Sequence, residues 1–298
     1  MHVTPAARIM GPMPWSISGD AGEFASEAGP FLRTQPARHT LELTIVDTLR
    51  KRGPAAFGAN PPLFGWWRPP DEPDGPVAAA FLQTPPYPLV LSSAPDEAAA
   101  ELADTLAATG RELPGVNAGD AAAGRFAAQW RQRTSAATSV HMRTRLYRLD
   151  GLVPPQPAPG GRARAVAATD RDLLVAWFGA FGREVGSMTE EDPGRLFGDR
   201  AGRGTLMVWE DGGQPVSMAA ATEPVAGMSR VGPVYTPPAL RGRGYAGAVT
   251  AAVSQAALDA GAAEVLLFTD LANPTSNALY QRLGYRPVED RIVLSFAA

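Results

Sequence analysis

The sequence contains no cysteine and only three histidines among its 298 residues. Without cysteine the chain has no disulfide framework, no thiolate nucleophile and no cysteine-ligated zinc site. The three histidines, His2, His39 and His141, are scattered and lack the spacing of a metal-ligand group. We therefore expect no bound metal, and no covalent intermediate on a thiolate.

Strong charge and long apolar runs are also missing. The formal net charge is −3, which favours neither nucleic acid nor an anionic membrane as a partner. No apolar run is long enough to span a bilayer, and the first residues lack the features of a signal peptide. We expect a cytoplasmic protein, and the bias towards alanine, glycine, proline and arginine, with little lysine, indicates a bacterial coding sequence.

A glycine-rich turn at the start of a predicted helix is the most informative segment. Residues 241–246 read Arg-Gly-Arg-Gly-Tyr-Ala and follow a strand-like stretch that Pro237 and Pro238 terminate. The helical pattern then runs from Ala246 to Leu258. Two glycines permit positive φ and close approach of the backbone, and two arginines flank free N–H groups. This combination predicts an anion site, in particular a phosphate site.

Two known phosphate-binding motifs do not fit this turn. It is not a P-loop, because no Gly-Lys-Ser/Thr follows, and its spacing differs from the dinucleotide-binding fingerprint. An ordinary tight turn with solvated arginines is the remaining alternative.

A second motif follows a predicted strand over 265–269. Asn273 is predicted to cap a helix whose first residue is Pro274. Tyr280 lies seven residues after Asn273, two turns along that helix, so the two side chains project from one face. A plain helix cap and a core tyrosine with a satisfied hydroxyl are the structural alternatives.

Together the strand, the turn Arg241-x-x-Gly244-x-Ala246, the helix, the next strand, Asn273, Ser276, Tyr280 and Gly284-Tyr285 resemble the acetyl-CoA-binding core of the GNAT (GCN5-related N-acetyltransferase) superfamily. The resemblance covers roughly the last hundred residues. It implies that the turn holds the CoA pyrophosphate and that the preceding strand pairs with the pantetheine arm. The residues that it assigns to acetyl-CoA are Val234, Tyr235, Thr236, Arg241, Gly242, Arg243, Gly244, Tyr245, Ala246, Asn273, Ser276 and Tyr280.

Acyl transfer to an amine needs a base for the amine, a donor for the developing oxyanion and an acid for the departing thiolate. The resemblance makes Tyr280 the acid, and a backbone N–H at the end of strand 231–236 is the candidate donor. For the base, Glu223 is the first choice, Asp270 the second and Glu184 the third. A water relay, or an amine that arrives neutral, would need no carboxylate.

Residues 1–150 have a similar order of predicted elements and weakly resemble a second GNAT-like domain that has lost its cofactor site. Their turn at 93–97 has no glycine, and its two carboxylates would repel a pyrophosphate. The later helix carries Phe126 and Trp130 but no tyrosine. An unrelated α+β cap domain is the alternative. Four prolines make 151–161 a stiff linker.

The resulting prediction is an α/β (α+β) chain of two GNAT-like domains, with a linker at 151–161 and the catalytic domain at 162–298. Each domain has a mixed, mostly antiparallel twisted sheet with a splayed parallel pair of central strands, flanked by helices. The predicted activity is direct transfer from acetyl-CoA to a primary amine of a small molecule or protein, by a monomer or homodimer without nucleic-acid or membrane partners. An acyl-CoA-binding regulatory module and an enzyme for another acyl chain remain alternatives. The candidate acceptor contacts are Trp177, Phe178, Phe181, Glu184 and Met188, although an aromatic stripe on a helix more often belongs to the core.

Overall fold

The computed structural model describes residues 15–186, 192–202 and 205–297. The chain divides into two compact units. Unit 1 contains residues 1–144 and 289–298, and unit 2 contains residues 145–288. The family-like motifs of the sequence therefore all lie in unit 2.

The strands are, in chain order, β1 (Trp15–Ser18), β2 (Leu63–Trp67), β3 (Ala79–Gln83), β4 (Leu89–Leu91), β5 (Gly115–Gly119), β6 (Ala137–Leu149), β7 (Arg162–Ala165), β8 (Leu206–Asp211), β9 (Gln214–Ala221), β10 (Met228–Tyr235), β11 (Glu264–Asp270) and β12 (Tyr285–Ala297). The α-helices are α1 (Ala21–Glu27), α2 (Gly29–Leu32), α3 (Thr40–Arg52), α4 (Asp96–Ala108), α5 (Asp120–Thr134), α6 (Arg171–Glu184), α7 (Pro193–Ala201), α8 (Tyr245–Asp259) and α9 (Pro274–Arg282).

Unit 1 has the strand order β1-β2-β3-β4-β5-β12. Only the β4–β5 pair among these is parallel, with Leu89 opposite Val116 and Val90 opposite Asn117. Alternating apolar side chains of the strands pack with α4 and α5 into one buried cluster, which includes Phe81, Leu102 and Phe126. The sheet of unit 1 is thus mixed, and the two strands of its one parallel pair among these six, β4 and β5, are connected through α4.

A buried arginine lies at the end of that parallel pair. Arg291, on β12, is 2% exposed. Its Nη2 donates to the backbone oxygens of Leu91 (3.1 Å) and Asn117 (3.0 Å), and its Nε donates to Asn117 Oδ1 (3.0 Å). Glu289 Oε1 lies 3.1 Å from Nη1 and supplies the countercharge. The guanidinium therefore uses backbone acceptors at the point where β4 and β5 stop pairing.

Unit 2 has the strand order β11-β10-β9-β8-β7. β10 and β11 are parallel, and the other pairs are antiparallel. The Asp-Gly-Gly sequence between β8 and β9 forms a tight turn, since both glycines have positive φ. One face of this sheet packs on α6 and α7, and the other packs on α8 and α9.

The predicted mixed fold with one parallel central pair in each half is confirmed. The division along the chain differs from the expected boundaries in two respects. Unit 2 begins at residue 145, so it includes the segment 151–161 that the sequence predicts to be a linker between domains. Residues 289–298 belong to unit 1, where 291–295 of β12 pair with β5, whereas the sequence placed all of 162–298 in the second domain. The pattern of β12 identifies a strand, but nothing in it specifies which edge the strand joins.

Candidate active site

A gap opens between the two parallel strands of unit 2. β10 and β11 pair from Met228 opposite Glu264 to Val231 opposite Leu267, and no pair follows within the described residues. At the same point β10 has a bulge against β9, because two residues separate Val231 and Val234 whereas one separates their partners. Pro233 lies in this bulge and has no N–H for a ladder bond. The bulge thus turns the carboxyl end of β10 away from β11.

Val234, next to Tyr235 on β10, directs its polar backbone groups into this gap. Tyr235 pairs with Met218 on β9, and its carbonyl accepts a hydrogen bond from Ser217 Oγ (3.0 Å). Neighbouring residues of an antiparallel ladder alternate in direction. Val234 therefore presents its N–H and C=O on the side of the gap, where an extended chain could add as a further strand.

The glycine-rich turn leads directly into α8. Gly242 and Gly244 have φ of 76° and 86°, the backbone conformation that favours glycine. Arg241 N donates to Pro238, and the next backbone donor in use is Ala248 N, which bonds Gly244. Within the described part of the chain, the N–H groups of the intervening residues 242–247 have no acceptor. A run of free donors at a helix start is the arrangement that binds anions, so this turn is a candidate anion site.

The two arginines of the turn differ in what they contact. Arg241 Nη2 donates to both oxygens of Glu184 (2.8 and 2.6 Å), and its Nε donates to the Thr236 carbonyl (2.9 Å). Its guanidinium also lies 5.9 Å from the centre of the Tyr235 ring. Arg243 is exposed; its Nη2 donates to the Ala239 carbonyl (3.4 Å), and its side chain also hydrogen-bonds the Tyr245 hydroxyl. The charge of Arg241 is therefore balanced by Glu184, whereas that of Arg243 faces solvent.

Tyr245, the first residue of α8, is buried and holds the turn in place. Its hydroxyl donates to Asp211 Oδ2 at the end of β8 (2.5 Å). That hydrogen bond raises the pKa of Tyr245. The next residue, Ala246, is half-buried on the first helical turn. Tyr245 therefore anchors the glycine-rich turn to β8 and does not offer a free hydroxyl.

Tyr280 lies on α9 in the same buried cluster as Val231 and Leu267, the last paired residues before the gap. Its side chain is 8% exposed, and its ring packs edge-on against Tyr285 at 6.1 Å. No acceptor or donor for its hydroxyl is present in the described residues, and this oxygen is not one of the fully enclosed unpaired atoms. Burial raises the pKa of Tyr280 to about 12. The phenol thus keeps its proton at neutral pH.

The start of α9 is formed as the sequence predicts. Asn273 is the N-cap, its side chain accepts from Ser276 N (3.0 Å), and Pro274 is the first helical residue. Asn277 Nδ2 donates to the carbonyls of Asp270 and Asn273, both at 2.8 Å. The side chains of Asn273 and Ser276 therefore lie at the carboxyl end of β11, beside the gap. Thr236, at the end of β10, is buried against Ser217 (2.8 Å).

The three base candidates lie in different places. Glu223 is exposed on the connection after β9. It follows Ala221, the partner of Val231, by two residues, which places it about 7 Å from the start of the gap, towards the paired end of β10 and β11. Asp270 ends β11 and accepts from Ala272 N (2.9 Å). Glu184 ends α6 and bonds Arg241. The gap therefore has Asp270 and Glu184 at its open end and Glu223 at its closed end.

The candidate acceptor contacts are mostly core residues. Trp177 and Phe178 are buried among α6, α7 and the sheet, and Trp177 lies 6.0 Å from the Tyr235 ring. Phe181 is half-buried at the edge of this cluster. Met188 lies outside the described residues. Sequence reasoning gave no signal for the contact of Glu184 with Arg241, which are 57 positions apart.

A cavity of about 540 Å³ lies elsewhere in unit 2, lined by Arg164, Asp170 and Glu210 among others. Arg164 bonds Asp170 Oδ2 at 2.6 Å and Glu210 Oε2 at 2.5 Å. This pairing lowers the pKa of Asp170 and raises that of Arg164. Arg162, 3.5 Å from Glu210 Oε1, supplies a second positive charge, so the two carboxylates are balanced by two arginines. The cluster therefore serves to join β7, α6 and β8, and the candidate site remains the gap.

Comparisons with known proteins agree with this geometry. Residues 171–285 match the model of the acetyltransferase (GNAT) family, and this range lies wholly in unit 2. Unit 2 therefore carries a GNAT-family domain, and the resemblance seen in the sequence is confirmed. The match supports acyl-CoA-dependent acetyltransferase activity in general. A search of curated proteins found no significant match.

Solved structures extend the likeness to the rest of the chain. A GCN5-related N-acetyltransferase from Sphaerobacter thermophilus is 18% identical, with a TM-score of 0.63, and the match covers 95% of this chain and 96% of that one. A Drosophila protein is 14% identical, with a TM-score of 0.62 and coverage of 96% and 99%. A GCN5-related N-acetyltransferase from Kribbella flavida is 20% identical, with a TM-score of 0.52 and coverage of 74% and 87%. At these identities the likeness establishes the fold.

No helix in residues 15–186, 192–202 and 205–297 is both long and apolar enough to cross a membrane. No group of three or more potential metal ligands occurs in those residues either.

Proposed function

We propose that unit 2 is an acetyl-CoA-dependent N-acetyltransferase that passes the acetyl group directly to a primary amine. The observation that carries the proposal is the pairing of two features at one edge of the sheet. The parallel strands separate after Val231 and Leu267, and six successive backbone donors at the start of α8 have no acceptor among the residues that the structure describes. A ligand with an extended polar arm and a pyrophosphate fits both.

The chain's own groups have distinct tasks in binding. The N–H groups of residues 242–247 hold the pyrophosphate, aided by the positive end of the α8 dipole. Arg243 adds a cation that no carboxylate neutralises in the described residues. Val234 offers its C=O to the pantetheine arm. Bound acetyl-CoA supplies the acetyl group as a thioester.

Two groups of the chain assist the transfer itself. A backbone N–H of β10 at the gap, for which Val234 has the appropriate direction, donates to the carbonyl oxygen as that oxygen gains negative charge. The amine nitrogen forms the new C–N bond while the C–S bond breaks. Tyr280 donates its phenolic proton to the departing sulfur. Its raised pKa keeps that proton available throughout the physiological pH range.

The amine must lose a proton in the same reaction. Asp270 and Glu184 lie at the open end of the gap, so the geometry favours them over Glu223 as the acceptor of that proton, directly or through water. The amine itself, whether a small molecule or a protein amine, is not specified by these groups. Activity towards a panel of amines defines it.

The test compares two glycines at opposite ends of α8. Gly242 and Gly261 both have positive φ, 76° and 89°, and a Cβ added at either meets nothing within 4 Å. Gly242→Ala and Gly261→Ala should therefore cost similar backbone strain, about 1 kcal/mol each. We expect Gly242→Ala to weaken acetyl-CoA binding about tenfold in calorimetric titration, since it distorts the donors. Gly261→Ala should bind like the wild type.

Thiol release with the amine panel completes the test. Binding of acetyl-CoA with turnover of at least one amine supports the proposal. Binding without any turnover would favour an acyl-CoA-sensing module, and tighter binding of a longer acyl-CoA would favour another acyl donor. Equal affinities of the two alanine variants would refute the phosphate assignment.

A further inference from the structure

The proline-rich segment 151–161, here called the strap, is more than a tether between two parts of the chain. Its start is held just after α9, since Val153 N donates to the Leu283 carbonyl (3.0 Å), and Asp150 N, immediately before the strap, donates to the Gly284 carbonyl (3.1 Å). At its other end, Trp209 Nε1 donates to the Gly160 carbonyl (2.8 Å). Both ends are thus fixed to unit 2, and the strap must run between α9 and the end of β8.

Between these ends the strap passes along the first turn of α8. Pro159 lies 3.6 Å from the position that a Cβ on Gly244 would occupy, and Pro155 lies 3.2 Å from that of Gly247. Leu279 of α9 lies 3.1 Å from the same Gly247 position. The strap therefore flanks the same residues whose N–H groups are unused, and it fills the groove between α8 and α9 with rigid apolar rings.

The chemistry of these contacts identifies what the strap could recognise. Prolines carry no charge and no N–H donor, so they add nothing to phosphate binding. Both prolines are only half-buried, so part of each side chain remains exposed to solvent. The pantetheine arm leaves the phosphate-binding turn towards the gap, so the nucleotide must leave it on another side. A planar base can stack on preordered rings without ordering them first.

We propose that Pro155 and Pro159 form the wall against which the adenosine end of CoA rests. This inference rests on the proposed function, since it takes the turn at 242–247 to be the pyrophosphate site. It deepens that function because it assigns the binding of the adenosine end of acetyl-CoA to residues outside the family-matched range, which begins at residue 171. The strap then selects for the nucleotide, whereas the gap selects for the acyl arm.

The experiment uses the full chain with three probes: CoA, 3′-phosphoadenosine 5′-diphosphate and S-acetylpantetheine. The test variant is Pro155→Ala with Pro159→Ala, and the control is Pro154→Ala, an exposed proline of the same strap. We expect the double variant to bind CoA and the nucleotide probe about tenfold more weakly. Affinity for S-acetylpantetheine, which lacks the nucleotide, should stay unchanged, and the control should match the wild type for all three.

The outcomes separate the strap from the function on which it depends. If the wild type binds CoA and the double variant binds it equally well or more tightly, the strap is a spacer or a cover and the proposal is overturned. A parallel loss of S-acetylpantetheine affinity would also overturn it, because the prolines would then support the fold of the site. If the wild type binds neither CoA nor S-acetylpantetheine, the proposed function itself fails.

Discussion

Replacing Tyr280 with phenylalanine separates the chemistry of its hydroxyl from the packing of its ring. The ring packs against Tyr285, whereas the hydroxyl has no hydrogen-bond partner in the described residues. Removal of the hydroxyl therefore breaks no bond, and we expect the free energy of unfolding at pH 7.5 to change by less than about 1 kcal/mol. Loss of a general acid should lower kcat by about 100-fold or more. The dissociation constant of CoA should not change.

The same variant has a signature at alkaline pH. An unperturbed tyrosine loses its proton near pH 10, whereas burial raises the pKa of Tyr280 to about 12. Between these values the unfolded chain binds fewer protons than the folded one, so stability is intact below pH 10 and falls as pH rises through the window. Two units correspond to about 2.7 kcal/mol in total, and about 1.4 kcal/mol is lost by pH 11.

The assay is denaturant unfolding of both proteins at pH 8 and pH 11, with kcat and CoA affinity measured at pH 7.5. The wild type should lose about 1.4 kcal/mol more than Tyr280→Phe over this pH interval. An unchanged kcat would remove Tyr280 as the acid. An equal alkaline loss in both proteins would show that the hydroxyl is not desolvated, and the reasoning from its burial would be wrong.

Two further predictions concern arginines with opposite environments. Glu184→Gln should tighten CoA binding by up to about fivefold in calorimetric titration. The reason is that the exposed ion pair with Glu184 no longer holds the charge of Arg241 away from the phosphates. Weaker binding would show that the ion pair positions the turn. Arg291→Leu should destabilise unit 1 by about 3–5 kcal/mol in a calorimetric melt, because it strips buried backbone oxygens and Glu289 of their partner. CoA affinity should survive below the lowered transition, and its loss there would contradict the assignment of the site to unit 2.

Local chemistry accounts for the parts of the site that the sequence predicts well. Asn273 and Pro274 begin α9 because cap and first-turn preferences act within a few residues. The glycine-rich turn takes positive φ at Gly242 and Gly244 for the same local reason. In each case the signal and the structure that it predicts lie within one turn of the chain.

Contacts between distant residues account for what the sequence does not predict. An aspartate directly before a helix favours an N-cap, but the Asp170 carboxylate bonds Arg164 and Ala167 N, and it makes no cap hydrogen bond to α6. Arg291 reaches the Leu91 carbonyl 200 positions away. Propensity and periodicity carry no information on such pairs. The assignment of catalytic and cofactor residues to side chains consequently stays a prediction, which the variants above test.

The absence of a cofactor site in unit 1 also stays a prediction. Its turn after β4 does carry two carboxylates, Asp96 and Glu97, in the first turn of α4. The Arg291 guanidinium lies at the end of the β4–β5 pair, on the carbonyls of Leu91 and Asn117. The two carboxylates would repel a pyrophosphate, and the guanidinium occupies backbone carbonyls that an added strand would need. A stoichiometry of one CoA per chain in the titration would agree with this.

The membership of residues 289–297 in unit 1 sets the order in which a ribosome can complete the two units. Unit 2 comprises residues 145 to 288, which is 144 residues, and all of them emerge before the strand that pairs with β5. At about 5–20 residues per second, this delay is roughly 7–30 s. During that interval the β5 edge has no partner strand from β12 and can pair with other chains. Nascent chains should therefore depend on chaperones longer for unit 1 than for unit 2, although unit 1 is synthesised first.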